Sequence, residues 1–186
     1  MDKIKKVALL GDSIRMGYAP RVMGLLGEDY LVFSPNDNCR YAQYQLRMLF
    51  DFKEQLEECD IIHFNSGIWD TVDYFGDGIF NDEDTYLRTM VRIAKILQTY
   101  APRVIFATTT PIRKERPDID TADIIRFNER LVPLLEEMGV EINDLFSTVY
   151  ADIESNVRGD DYTHLTDAGN ELCARQVAQK IGRAHV

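Results

Sequence analysis

Val7-Ala8-Leu9-Leu10-Gly11-Asp12-Ser13-Ile14-Arg15-Met16-Gly17-Tyr18 is the stretch on which the fold turns. Four apolar residues in a row, without alternation, predict a strand buried on both faces. They run into Gly-Asp-Ser, and a helical pattern begins near Met16. A strand that ends in a small turn and enters a helix presents side chains at its carboxyl end, where open α/β sheets bind ligands. Ser13 sits at that corner. One reading makes it the helix N-cap, a role serine fills well. The other makes it a nucleophile. Its backbone N–H then lies near a helix N-terminus, where unpaired donors favour the oxyanion of acyl transfer. Gly-Asp-Ser alone does not choose between them. The second half of the argument lies at the far end of the chain, in Asp161-Tyr162-Thr163-His164.

With 186 residues, 45 % of them hydrophobic, the chain predicts one compact domain over 1–186 with a real core. No apolar run approaches the ~20 residues that span a bilayer. The short N-terminal apolar stretch continues into the fold and does not read as a signal peptide. Cys39, Cys59 and Cys173 are odd in number and not closely spaced, so they read as reduced thiols, not as a disulfide frame or zinc site. A cytoplasmic location is expected. The formal net charge is -10 without a basic stripe, which argues against nucleic acid and anionic membrane surfaces as partners.

Strand and helix then alternate. The pattern predicts a helix over 16–26 with Pro20 near its first turn, a strand over 30–33, and a turn-rich loop over 34–40. Tyr41, Tyr44, Met48, Leu49, Phe52 and Leu56 predict one long helix. Strands are expected over 60–67, 104–109 and 140–142, with helices over 86–100 and 121–138. Pro133 should kink the second of these or open one bond. Residues 146–160 predict one short helix and a loop. Thr166 reads as the N-cap of the last helix. The long 69–84 segment has the length of a functional lid. Five alternations imply a parallel sheet covered on both faces. The expected fold class is α/β: a three-layer α/β/α sandwich around a flavodoxin-like five-stranded sheet of order 2-1-3-4-5. That order makes the ends of strands one and three neighbours, so Ser13 and residues 65–70 should meet at one crevice.

A serine hydroxyl needs a base within hydrogen-bond reach, and the base needs an orienting group. His164 and Asp161, three residues apart, supply both on one tight turn, and the chain order Ser…Asp…His is a known one. The ordinary alternative is a surface turn before the last helix. His63 is the competing base, placed mid-strand where histidines are usually packed, and His185 is a tail residue with a weak claim.

These residues resemble the SGNH/GDSL hydrolase superfamily: Gly11-Asp12-Ser13 after the first strand, and Asp161-x-x-His164 before the last helix. Gly67-Ile68-Trp69-Asp70 stands where that family has its Gly-x-Asn-Asp block. The matching order of elements covers nearly the whole chain. The resemblance implies an α/β/α fold and ester hydrolysis without metal or other cofactor. It makes Ser13 the nucleophile and an oxyanion donor, His164 the base and Asp161 the orienting acid. The chain departs from the family twice. The loop 34–40 lacks the family's oxyanion glycine, leaving the backbone of Asn38, Cys39 or Arg40 as donor, since any residue but proline carries an N–H. Trp69 occupies the asparagine position. Asn65, two residues before Gly67 on the same strand face, is the nearest amide, either a donor in the crevice or a structural amide. Losing one donor costs ~10²–10³ in rate, so the departures threaten activity more than fold. Arg40 either contacts substrate oxygens or closes a salt bridge. Cys39 reads as a small packed residue. Trp69, Tyr74, Phe75 and Phe80 either form an apolar or sugar-stacking wall or simply pack.

The expected function is a serine esterase acting on small acyl, preferably acetyl, esters of carbohydrates. A lysophospholipase or thioesterase with a longer acyl group is the enzymatic alternative. A binding module that lost its oxyanion hole is the non-enzymatic one. A metal-assisted hydrolase using Asp12, Asp70, Asp161 and His164 has no ligand spacing to support it. A phosphate or flavin site is disfavoured by the acidic Asp12.

Overall fold

A computed structural model describes residues 4–182, so His185 lies outside the described residues. Five strands pair in parallel: β1 (Lys5–Leu10), β2 (Tyr30–Phe33), β3 (Ile61–Phe64), β4 (Arg103–Ala107) and β5 (Glu141–Asn143). Their order is β2-β1-β3-β4-β5, as the sequence predicts. The helices are α1 (Ser13–Leu26), α2 (Ala42–Asp51), α3 (Lys53–Glu57), α4 (Glu83–Tyr100), α5 (Thr121–Glu137), α6 (Leu145–Tyr150), α7 (Ile153–Asn156) and α8 (Asp167–Gly182).

The unbroken apolar strands bury both faces, and alternate residues serve opposite cores. Ala8, Leu10, Ile62, Phe64, Val104 and Phe106 pack with buried side chains of α2, α3, α4 and α5. Val7, Leu9, Ile61, Ile105 and Ala107 pack with Tyr18 and Val22 of α1, Leu145 and Val149 of α6, and Cys173 and Val177 of α8. The result is the expected three layers. Among the described residues no helix is long and apolar enough to cross a membrane.

Four local expectations change. Helix α1 begins at Ser13 because the Asp12 side chain accepts the Ile14 N–H at 3.0 Å and takes the N-cap. Ser13 is therefore not the cap. The earlier start also places Pro20 in the helix interior, where it removes the donor to the Met16 carbonyl. The long second helix breaks at Phe52 (φ -104, ψ 16), whose ring turns to meet Phe33 at 5.6 Å. Residues 146–160 hold two short helical turns, because Asp144 and Asp152 each cap one: α6 through Ser147 N–H and α7 through Ser155 N–H. Helix α5, in contrast, runs on through Pro133. Thr166 caps α8 as expected, its Oγ1 accepting the Gly169 N–H at 3.1 Å.

Candidate active site

The Asp12 cap leaves Ser13 as the first helical residue of α1, at the carboxyl edge of β1. Helices α1 and α8 pack side by side through one core, which brings the turn before α8 to the same edge. Ser13 Oγ lies 2.9 Å from His164 Nε2, and His164 Nδ1 lies 3.0 Å from Asp161 Oδ2. The other Asp161 oxygen accepts the Thr163 and His164 N–H groups at 3.0 and 2.9 Å. Partial burial opposes ionisation of Asp161. The two backbone donors and the imidazole outweigh it and hold its pKa down to about 2. An ionised Asp161 can only accept, so Nδ1 of His164 carries the proton and Nε2 is free to accept the Ser13 hydroxyl proton. The basic loop 111–117 braces this turn. Arg113 N donates to Tyr162 O at 2.9 Å, and Arg116 reaches Thr163 Oγ1 at 3.2 Å while paired with Asp118.

The opposite wall is the 34–40 loop. Cys39 N donates to Gly11 O at 3.0 Å and Gly11 N to Cys39 Sγ at 3.3 Å, so this loop packs on the turn that carries Ser13. Arg40 holds a left-handed φ of 50, the conformation glycine adopts freely, and its N–H bonds Asn38 Oδ1 at 2.8 Å. Two of the three backbone donors expected here are thus engaged, that of Cys39 by Gly11 and that of Arg40 within the loop, and that of Asn38 is left. Asn65 N extends the sheet by donating to Leu10 O at 3.2 Å, and its side chain is 5 % exposed against Gly11. A Cβ at Gly11 (φ 156) would stand 2.0 Å from Asn65 Oδ1, so the glycine lets this amide approach. Asp12 Oδ2 and Asn65 Oδ1 are both buried without a donor. The two ends of an amide are interchangeable in shape, and with Nδ2 toward Asp12 the carboxyl is satisfied and one N–H remains. Burial pushes the Asp12 carboxyl up, and the Asn65 amide holds it down.

Comparison by sequence finds no match among protein-family models or curated proteins. Comparison by structure does. The acetyl xylan esterase AlAXEase superposes with a TM-score of 0.76 at 19 % identity, over 95 % of this chain and 99 % of that one. Axe2, an acetylxylan esterase from Geobacillus stearothermophilus, gives 0.78 at 17 % identity over 98 % and 96 %. The lipase/acylhydrolase from Enterococcus faecalis gives 0.77 at 20 % identity over 95 % of each chain. The fold is that of the SGNH/GDSL hydrolases.

Against the SGNH/GDSL pattern, the departing residues take definite places. Trp69 lies in a 3₁₀ turn (Trp69–Thr71), its ring 6.4 Å from Tyr74. Tyr74 meets Phe80 at 5.7 Å and Phe80 meets Tyr41 at 4.9 Å, making a continuous aromatic strip, with Phe75 projecting into solvent. Gly67 (φ 150) permits a close approach to Thr109, whose Oγ1 would lie 2.3 Å from a Cβ there. Asp70 is fully buried. It accepts from Ala42 N at 3.1 Å, Asn81 Nδ2 at 2.6 Å and Ser66 Oγ at 3.3 Å, tying α2 and the 69–81 segment to the end of β3. Burial lifts its pKa to about 6 against those bonds. Asp12 and Asp70 are thus spent on internal bonds, and among the described residues no three His, Cys, Asp or Glu side chains gather as a metal site.

Arg15 is the residue the sequence reading passed over. It is 2 % exposed, and its guanidinium donates to Ser34 Oγ (3.0 Å), Pro35 O (2.7 Å), Asp37 O (2.5 Å) and Gly11 O (3.1 Å). One side chain therefore fixes the 34–37 loop to the Ser13 turn. The available signal was its place in the buried stripe Ile14, Arg15, Tyr18, Ala19, Val22 of α1. His63 does not compete as base. It is fully buried in β3, with Nε2 3.1 Å from Asn143 Nδ2. Burial, aided by the charge of Lys180, lowers its pKa to about 3 and keeps it neutral.

Proposed function

We propose that this protein is a serine esterase of the SGNH/GDSL type, cleaving small acyl esters of carbohydrates, acetyl esters first. The observation that carries the reading is the unbroken hydrogen-bond relay Ser13–His164–Asp161 at 2.9 and 3.0 Å. Ser13 Oγ attacks the ester carbonyl as His164 Nε2 takes its proton. The tetrahedral oxyanion faces the Ser13 N–H, with the Asn65 amide and the Asn38 N–H as the other donors. Collapse expels the alcohol, which leaves with the proton from His164. Water, deprotonated by the same nitrogen, then releases the acid and restores Ser13. Asp161 stabilises the imidazolium in both steps.

Two further observations favour this substrate class. Among the structural neighbours, Axe2 variants described as catalytic mutants replace an aspartate and a histidine three residues apart, the spacing of Asp161 and His164. The His164 side chain is 45 % exposed, so the site opens to solvent, which suits a short acyl group on a bulky alcohol better than a long chain needing an apolar channel. Three buried free cysteines suit a reducing, cytoplasmic setting. The test is fluorophosphonate labelling read by mass spectrometry, alongside p-nitrophenyl acetate turnover by the parent and by Ser13→Ala. Label on Ser13 and turnover lost in the variant are expected. An unlabelled Ser13 in folded protein leaves the binding-module reading in its place.

A further inference from the structure

We propose that the ester is carried on an acidic sugar, and that Arg40 grips the sugar's carboxylate; this rests on the esterase reading above. Arg40 and Tyr162 are the non-glycine residues described with a positive φ. A left-handed backbone costs a residue with a Cβ roughly 1–2 kcal/mol, which glycine would avoid. Asn38 Oδ1 holds the Arg40 N–H at 2.8 Å and so maintains that conformation. Strain kept at a loop beside a reactive centre points to a use for the side chain.

The side chain is exposed, and its guanidinium lies 4.8 Å over the Tyr44 ring. Among the described residues no carboxylate pairs with it, in a chain of net charge -10. Arg113, Arg116 and Arg158 each hold an acid. The loop's own Asp37 accepts the Tyr44 hydroxyl at 3.3 Å instead. Arg40 is thus an unspent cation, and its position matters. Cys39 before it bonds Gly11, and Ala42 after it bonds Asp70, so Arg40 stands between the Ser13 turn and the Trp69–Asp70 turn.

From Tyr44 the rings continue to Tyr41 (6.1 Å), Phe80 (4.9 Å) and Tyr74 (5.7 Å). An aromatic strip takes the C–H face of a sugar, and a guanidinium fork at its end takes a planar carboxylate through two hydrogen bonds. A neutral sugar gives that fork no charged partner. A phosphate, with nearly two charges, would ask for a cluster of cations, and one arginine matches a single negative charge.

The test compares acetate release from acetylated methyl glucuronoside and acetylated methyl glucoside, which differ in a carboxylate against a hydroxymethyl group. At low salt the parent is expected to favour the uronate by about tenfold in kcat/KM, as one charge-assisted bond implies, with the ratio shrinking as salt rises. Arg40→Gln should bring the ratio near one, and Arg40→Lys should keep part of it. Equal rates, preference for the glucoside, or a ratio unchanged in Arg40→Gln each overturn the inference and leave the esterase reading intact. Failure to release acetate from either sugar while fluorophosphonate still labels Ser13 also overturns it. Failure of labelling removes the esterase reading, and this one with it.

Discussion

Ser13 stands between two walls made in different ways. On one side, Asp161 and His164 sit three residues apart, and the turn that aims them is closed by their own backbone bonds. On the other, the Asn38–Arg40 loop is shaped by Arg15, more than twenty residues earlier, and by contacts with Gly11 and Asp70. The first wall is a local motif that carries its geometry with it. The second is assembled from distant parts, and residues there can change while the shape persists: Arg40 holds a glycine-like backbone without being glycine.

This contrast ranks the consequences of substitution. The relay wall should be unforgiving. His164→Ala removes the proposed base outright and is expected to lower kcat by about 10⁴–10⁶ with the fold retained, since the imidazole is partly exposed. Steady-state ester hydrolysis with circular dichroism checks this, and a loss under tenfold would show that the relay is not the working device. Across the crevice, Asn65→Ala deletes the amide beside Gly11 and Asp12. If that amide is an oxyanion donor, kcat falls about 10²–10³ with KM little changed. An unchanged kcat with a lower melting temperature would make Asn65 a structural amide only.

Arg15→Met should act by moving the loop. It strips donors from Ser34, Pro35, Asp37 and Gly11 at once, at a cost of about 3 kcal/mol in urea unfolding. In the fraction that folds, kcat should drop about 10–10², because the loop is misplaced and not removed. Full activity in a destabilised variant would confine Arg15 to stability.

The same contrast explains what could be read in advance. The sheet order was legible because the buried strands are unbroken apolar runs separated by helix-length patterns, and few right-handed topologies satisfy that. Asp161 and His164 were legible as a pair because a three-residue spacing fixes local geometry, and Ser13 because a strand running into a helix places it at the sheet's carboxyl edge. The start of α1 was not, because Asp12 and Ser13 are both good caps and only the fold selects one. Nor did periodicity betray the break at Phe52, since its ring lies on the helical stripe yet packs on Phe33. Arg15 was missed for a deeper reason. A buried cation whose partners are three backbone carbonyls and one serine hydroxyl leaves no acidic residue in the sequence to find.

Asp70 is where the distant assembly meets titration. Burial raises its carboxyl from 3.8 to about 6. Between those values the folded protein binds a proton that the unfolded chain has released. Its contribution to stability is therefore present at low pH and is lost as pH rises from about 4 to 6. His63 works in the opposite sense, because its folded pKa of about 3 lies below 6.5, so its contribution grows over much of the same window. The two slopes oppose each other, and the parent's own profile hides both. Asp70→Asn keeps the shape and the acceptor for Ala42 N while removing the titration. Its stability relative to the parent should improve by about 2 kcal/mol between pH 4 and pH 6, measured by urea unfolding across that range. Parallel curves would mean that Asp70 ionises freely in the fold, and that its bonds from Ala42, Ser66 and Asn81 already compensate its burial.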